Sequence, residues 1–115
     1  MASLNHVVIL GHLGADPELR KTEAGTPVAN FRVATNMVWK NKDGEREQRT
    51  DWHQVVVWGP QGERCGEMLK KGALVLVSGR IQSREWTDDE GNKRWSTEIV
   101  ASHVEFVSRP KEEAA

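Results

Sequence analysis

Between Val28 and Trp39 the chain alternates, with Ala29, Phe31, Val33 and Thr35 on one parity and Asn30, Arg32 and Asn36 on the other. A period of two is the repeat of an extended strand that lays one face on a core and turns the other to water. The same habit recurs along the chain, bounded each time by turn-forming residues. Leu4 to Leu13 is apolar and rich in β-branched residues, and it stops at Gly14 before the turn-prone Ala15-Asp16-Pro17. Ala24-Gly25-Thr26-Pro27 makes the next break. Thr50 to Trp58 reads as a third strand, with Trp52, Gln54, Val56 and Trp58 on one face and His53, Val55 and Val57 on the other. Ala73 to Trp86 and Arg94 to Val107 read as two more, joined into a long hairpin by the polar run Thr87 to Lys93.

Only Gly62 to Lys71 carries a helical pattern, with Cys65, Met68 and Leu69 on one side, two lysines in its last turn and Gly72 as its stop. Its apolar stripe is narrow and suits a plug on the end of a sheet. Lys40 to Arg49 is charged, contains Asp43-Gly44 and lacks apolar residues, so a long mobile loop is expected there. Five strands with one short helix between the third and fourth is the element order of an all-β, five-stranded Greek-key barrel, the OB-fold. A chain of 115 residues suffices for one such domain. The expected division is a domain over 1–108 and a short polar tail over 109–115.

Composition narrows the function classes. The lone cysteine, Cys65, leaves no internal disulfide and no Cys-x-x-Cys metal pair, which fits a reducing, cytoplasmic setting. No apolar run approaches the ~20 residues of a membrane-spanning helix, and the start lacks the basic leader of a signal peptide. His6, His12, His53 and His103 have no ligand-like spacing, so neither a metal nor another cofactor is expected. Gly11-His12-Leu13-Gly14 precedes no helix and is not a phosphate cradle. No nucleophile and base, or pair of carboxylates, can be singled out, which argues against an enzyme.

Against this background the aromatic content stands out: five tryptophans and no tyrosine. Trp39 and Trp86 fall at loop edges, and the neighbours of the set include Lys40, Asp51, Gln54, Arg84, Glu85, Lys93 and Arg94. Exposed indoles stack on any base without reading sequence, while nearby cations neutralise phosphate. Each stacked base contributes on the order of 1–3 kcal/mol. The net charge of −1, from 16 basic and 17 acidic residues, speaks mildly against a nucleic-acid partner unless the charges are segregated. Asp88, Asp89 and Glu90 in a turn and Glu112 and Glu113 at the end take up part of the acid. Arg80 and Arg84 share a strand parity with Trp86 and are the first candidates for phosphate contacts, with Lys71, Lys40 and Lys42 behind them. In the Lys40 to Arg49 stretch the interleaved Asp43, Glu45 and Glu47 favour, from charge alone, a solvated mixed-charge loop over a binding one. Parity alone leaves Trp52 and Trp58 open between platform and core, and Trp95 is the weakest member of the set.

Several stretches, in order, resemble the bacterial single-stranded DNA-binding protein family: Asn5 to Glu18, Val28-Ala29-Asn30-Phe31, Thr50 to Val56, and Lys70-Lys71-Gly72-Ala73. The resemblance implies an OB barrel that assembles as a homotetramer and wraps single-stranded DNA around stacking aromatics, protecting it in replication, recombination and repair, in the cytoplasm at the nucleoid. It implies stacking at Trp39, Trp52, Trp58 and Trp86, with Trp58 where the family commonly has phenylalanine, and a place for His53 at a subunit interface. His6 and His12 stand where the family often has lysine and asparagine. Its acidic, hydrophobic-tipped recruitment tail has no counterpart before Glu112-Glu113-Ala114-Ala115, so docking of replication or repair proteins through such a tail is not expected. Two other readings stay open: an OB module of primosome type or an RNA binder, acting mainly through protein partners, and a nuclease.

Overall fold

The alternation of the third expected strand sets the frame. Val55 and Val57 are fully buried, while Trp52 and Trp58, three and one residues away on the opposite parity, are half exposed. The computed structural model describes residues 2–108, so the tail expected at 109–115 lies outside the described residues. Six strands and one helix follow in order: β1 (Val7–Leu13), β2 (Glu18–Lys21), β3 (Pro27–Lys40), β4 (Arg46–Trp58), α1 (Gly59–Met68), β5 (Leu74–Thr87) and β6 (Lys93–Ser108). The sheet order is β1-β5-β6-β4-β3-β2, and a further pairing of β1 with β3 closes a five-stranded barrel, the expected OB-fold, with β2 left outside the ring.

Closure depends on β1 serving two neighbours. It pairs with β5 from Val7 to His12 and with β3 through His12 and Leu13. At the crossing the backbones nearly touch: a Cβ on Gly11 would stand 2.0 Å from the Ala34 carbonyl oxygen. Only glycine permits that approach. Inside the ring lie Leu13, Phe31, Val33, Val55, Val57, Val75, Val77, Ile99 and Val104. Most are β-branched, which stiffens χ1 and suits a pleated surface. Each buried side chain of this size contributes roughly 1.5–3 kcal/mol.

Several boundaries differ from expectation. The strand β2 was not foreseen, because Glu-Leu-Arg-Lys has no apolar alternation; its pairing with Pro27–Asn30 and the packing of Leu19 on Gly66 hold it. The charged stretch over 40–49 is not a long mobile loop. β3 and β4 stay paired out to Lys40 and Arg46, leaving only a tight turn in which the Asn41 side chain accepts from the backbone N–H groups of Asp43 and Glu45. The helix runs a turn earlier than expected, from Gly59 to Met68, because Pro60 fits its first turn. Consequently Lys70 and Lys71 lie beyond its end, Leu69 in place of Gly72 is its C-cap, and Met68 faces solvent. Cys65 and Leu69 pack into the core. Burial pushes the Cys65 thiol up to about 11, against a small opposing pull from Arg64, so it stays protonated and inert at neutral pH.

Gly11→Ala should therefore cost about 2–4 kcal/mol, read as a lower urea midpoint at unchanged slope. An unchanged midpoint would mean that the crossing of β1 over β3 can relax.

Candidate nucleic-acid interface

Strands β3, β4, β6 and β5 lie side by side, and their non-core parity builds one continuous outer face. In register across β3 and β4, Arg32 stands opposite Gln54, Ala34 opposite Trp52, and Val28 opposite Trp58. Across β5 and β6, Arg84 stands opposite Ser96 and Trp86 opposite Arg94. A cleft of about 440 Å³ joins the two hairpins, and Arg32, Trp52, Gln54, Arg84, Ser96 and Glu98 line it. The indole of Trp86 donates from Nε1 to Ser96 Oγ at 2.9 Å, which holds the ring beside this cleft with much of its surface still exposed. A second cleft, about 470 Å³, continues from Trp52 and Arg32 toward Gly14, Asp16 and Glu18.

All five tryptophans are exposed, at 39% for Trp39, 54% for Trp52, 50% for Trp58, 45% for Trp86 and 67% for Trp95, so none is a core residue. Their directions differ. Trp52, Trp58 and Trp86 lie on the outer parity. Trp39 and Trp95 fall on the parity that faces the core lower down each hairpin, and they become exposed because both hairpins run on past the barrel. Trp95, the weakest member on sequence, is the most open.

The basic residues divide as well. Arg84 stands in the cleft with Trp52, whereas Arg80, four residues along, turns to a separate hollow beside Asn5, His6 and Ser102 and donates to Gln82 at 3.3 Å. Lys40 and Lys42 sit at the tip of the β3–β4 hairpin, and Lys71 lies past the helix, where its backbone N–H donates to Asp16 at 2.8 Å. Arg32 was not singled out from sequence. The signal was its place on the polar parity of β3, useful only once β3 is known to lie beside Trp52. Among the described residues, the ion pairs are Arg20 with Glu18, Arg49 with Asp51, Lys93 with Glu85, and Arg94 with Asp88. Arg32 and Arg84 are thus left free to meet an anion. The Asp88 carboxyl is held below the usual carboxylate range, first by the Asn92 backbone N–H and further by Arg94, which ties the β5–β6 turn.

Trp52 is positioned by a residue without a side chain. A Cβ on Gly14 would stand 2.3 Å from Trp52 Cζ3 and 2.7 Å from Cη2, so the indole rests on bare backbone. The Gly14 N–H donates to the Arg32 carbonyl at 3.2 Å, fixing that backbone to β3. His53, on the opposite parity of β4, shares a 2.8 Å hydrogen bond with Thr35 Oγ1 and borders an apolar cleft of about 300 Å³ with Val7, Ile9, Ile81 and Ile99. Among the described residues no cluster of three or more His, Cys, Asp or Glu is suited to a metal, and no helix is long and apolar enough to cross a membrane.

An OB barrel whose open face carries indoles and unpaired arginines has the form of a single-strand nucleic-acid binder. The chain belongs to the single-strand binding protein family, whose model matches residues 4–107. It is 47% identical over 113 residues to single-stranded DNA-binding protein 1 of Xylella fastidiosa, covering 97% of this chain and 83% of that one. Its identity to the protein of the same name from Chlorobaculum tepidum is 43% over 105 residues, or 90% of this chain and 65% of the relative. The fold superposes on the Plasmodium falciparum SSB in complex with ssDNA with a TM-score of 0.87 at 30% identity, covering 94% of this chain and 98% of that one. A deletion mutant of the Thermus aquaticus single-stranded DNA-binding protein superposes with a TM-score of 0.81 at 30% identity, over 91% of this chain and 51% of that one.

Gly14→Ala should swing the Trp52 ring and weaken oligo-dT binding by roughly fivefold or more, the lower end of one stacked base. Its near-UV circular dichroism should change while the melting temperature stays close to that of the parent. Unaltered affinity would show that Trp52 is no platform.

Proposed function

We propose that this chain binds single-stranded DNA with little sequence preference and covers exposed strands during replication, recombination and repair. The observation that carries the reading is the outer face on which Trp52, Trp58 and Trp86 lie in line with the unpaired Arg32 and Arg84. Family membership and similarity to single-stranded DNA-binding proteins support DNA over the RNA-binding or primosome-type alternative, and a binding role over a catalytic one. Bases stack on the indoles, and the arginines neutralise phosphate with release of counterions. Trp39, Lys40 and Lys42 on the β3–β4 arm, Trp95 and Arg94 on the β5–β6 arm, and Arg80 and Lys71 at the margins extend the path. No cofactor enters this reading, and a cytoplasmic, nucleoid-associated setting follows from it.

The active form in this proposal is a homotetramer. Ile81 is 45% exposed beside the apolar cleft that His53 borders with Val7 and Ile9, while Val8 and Leu10, on the opposite parity of β1, are 53% and 54% exposed. Exposed apolar side chains on both faces of β1 and β5 suit burial against further copies of the chain.

Titration with oligo-dT should quench tryptophan fluorescence strongly, and affinity should fall with salt at a slope of roughly 0.7 per phosphate contact. Trp52→Ala, Trp58→Ala and Trp86→Ala should each weaken binding by about 1–3 kcal/mol. Equal affinity for single and double strands without quenching would refute the mechanism. Light scattering at micromolar concentration should give the mass of four chains; the mass of one would refute the assembly.

A further inference from the structure

β4 and β6 pair in parallel through only two residue pairs, Val55 with Ile99 and Val56 with Val100. Toward the hairpin tips each strand stays bonded to its own partner, β4 to β3 and β6 to β5, and between β4 and β6 lies the 440 Å³ cleft. Trp52 and Gln54 form one lip of it, and Ser96 and Glu98 the other. A strand edge that has lost its neighbour keeps N–H and C=O groups able to pair with something else.

Glu98 is out of place on a face that meets a polyanion. It is only 9% exposed, yet it enters no ion pair among the described residues, although Arg32 and Arg84 line the same cleft. No side-chain oxygen or nitrogen among the described residues is both enclosed and unpartnered, so the carboxylate oxygens keep contact with solvent, and Glu98 lines this cleft as well as the apolar one that His53 borders. Its acceptor oxygens are therefore available to a group that enters there. A carboxylate accepts hydrogen bonds and donates none, which suits an exocyclic amine and repels a carbonyl.

We infer that Glu98 reads the base lodged beside Trp52: it accepts from the exocyclic amine of cytosine or adenine and disfavours the carbonyl that thymine or uracil presents at that position. This rests on the outer face being the path of the strand. It adds a composition bias to binding that stacking alone leaves indifferent to sequence. Because Glu98 is the one buried charged side chain among the described residues, the bias is modest in a long strand and clearest in a short one.

Oligo-dC and oligo-dU of equal length isolate the effect, since their rings differ only along the edge at positions 3 and 4. Both are titrated against the native chain, Glu98→Gln and Glu98→Asp, following tryptophan quenching. Glutamine can donate as well as accept, so in Glu98→Gln the ratio of dC to dU affinity should fall by about threefold or more. Glu98→Asp keeps the charge but withdraws it by one methylene, and the ratio should fall there too; this variant carries the test should glutamine impair folding. Equal changes for the two oligomers in both variants would overturn the inference and leave Glu98 as a general repeller of phosphate. Failure of either oligomer to quench the native chain would instead overturn the path along the outer face, and this inference with it.

Discussion

β1 is bonded to two strands at once, and the rest of the molecule depends on that double attachment. Between His12 and Leu13 it leaves β5 for β3, and the Gly11 backbone passes so near Ala34 that no side chain fits between. The ring so closed fixes the β3–β4 and β5–β6 hairpins on one frame. Immediately past the crossing, Gly14 lies under the Trp52 indole. The contact that closes the core and the contact that positions the Trp52 indole are thus three residues apart on one strand end.

Charge distribution resolves the apparent conflict between a net charge of −1 and a polyanionic ligand. Glu18, Asp51, Glu85 and Asp88 each engage a cation close in sequence or across the hairpin. Exposed pairs of this kind add little stability, with a median of about 0–1 kcal/mol. They do hold those acids to their own cations, while Arg32 and Arg84 line the cleft with Trp52 and have no ion-pair partner among the described residues. In the proposed mode of binding, the strand meets the field at the cleft and not the sum over the chain.

Much of this was legible in the sequence because a period of two survives folding unchanged. The parity of His53, Val55 and Val57 against Trp52 and Trp58 is the parity of core against outer face, and the element order with one helix led to the barrel. The misread parts depend on contacts distant in sequence. The stretch from Arg46 to Arg49 carries no apolar residue and is strand because it pairs with Met37 to Lys40 of β3, next to a hydrogen bond from Thr50 Oγ1 to Asn36 Oδ1 at 2.7 Å. The parallel register of β4 with β6 joins strands separated by a helix and a hairpin, so the meeting of Arg32, Gln54, Arg84 and Glu98 left no local trace. Likewise, Trp95 looked weakest on its neighbours, whereas the length of the β5–β6 hairpin makes it the most exposed of the five.

The central claim is that a single strand runs across the outer face of β3, β4, β6 and β5 over the indoles of Trp52, Trp58 and Trp86. The five indole N–H resonances of the 15N-labelled protein, assigned by single Trp→Phe variants, test it most directly during titration with oligo-dT. The account predicts that the Trp52, Trp58 and Trp86 signals shift together, in proportion to bound strand, and return when salt is raised. Saturating single strand that leaves those three signals in place, while other resonances of the domain move, would contradict it.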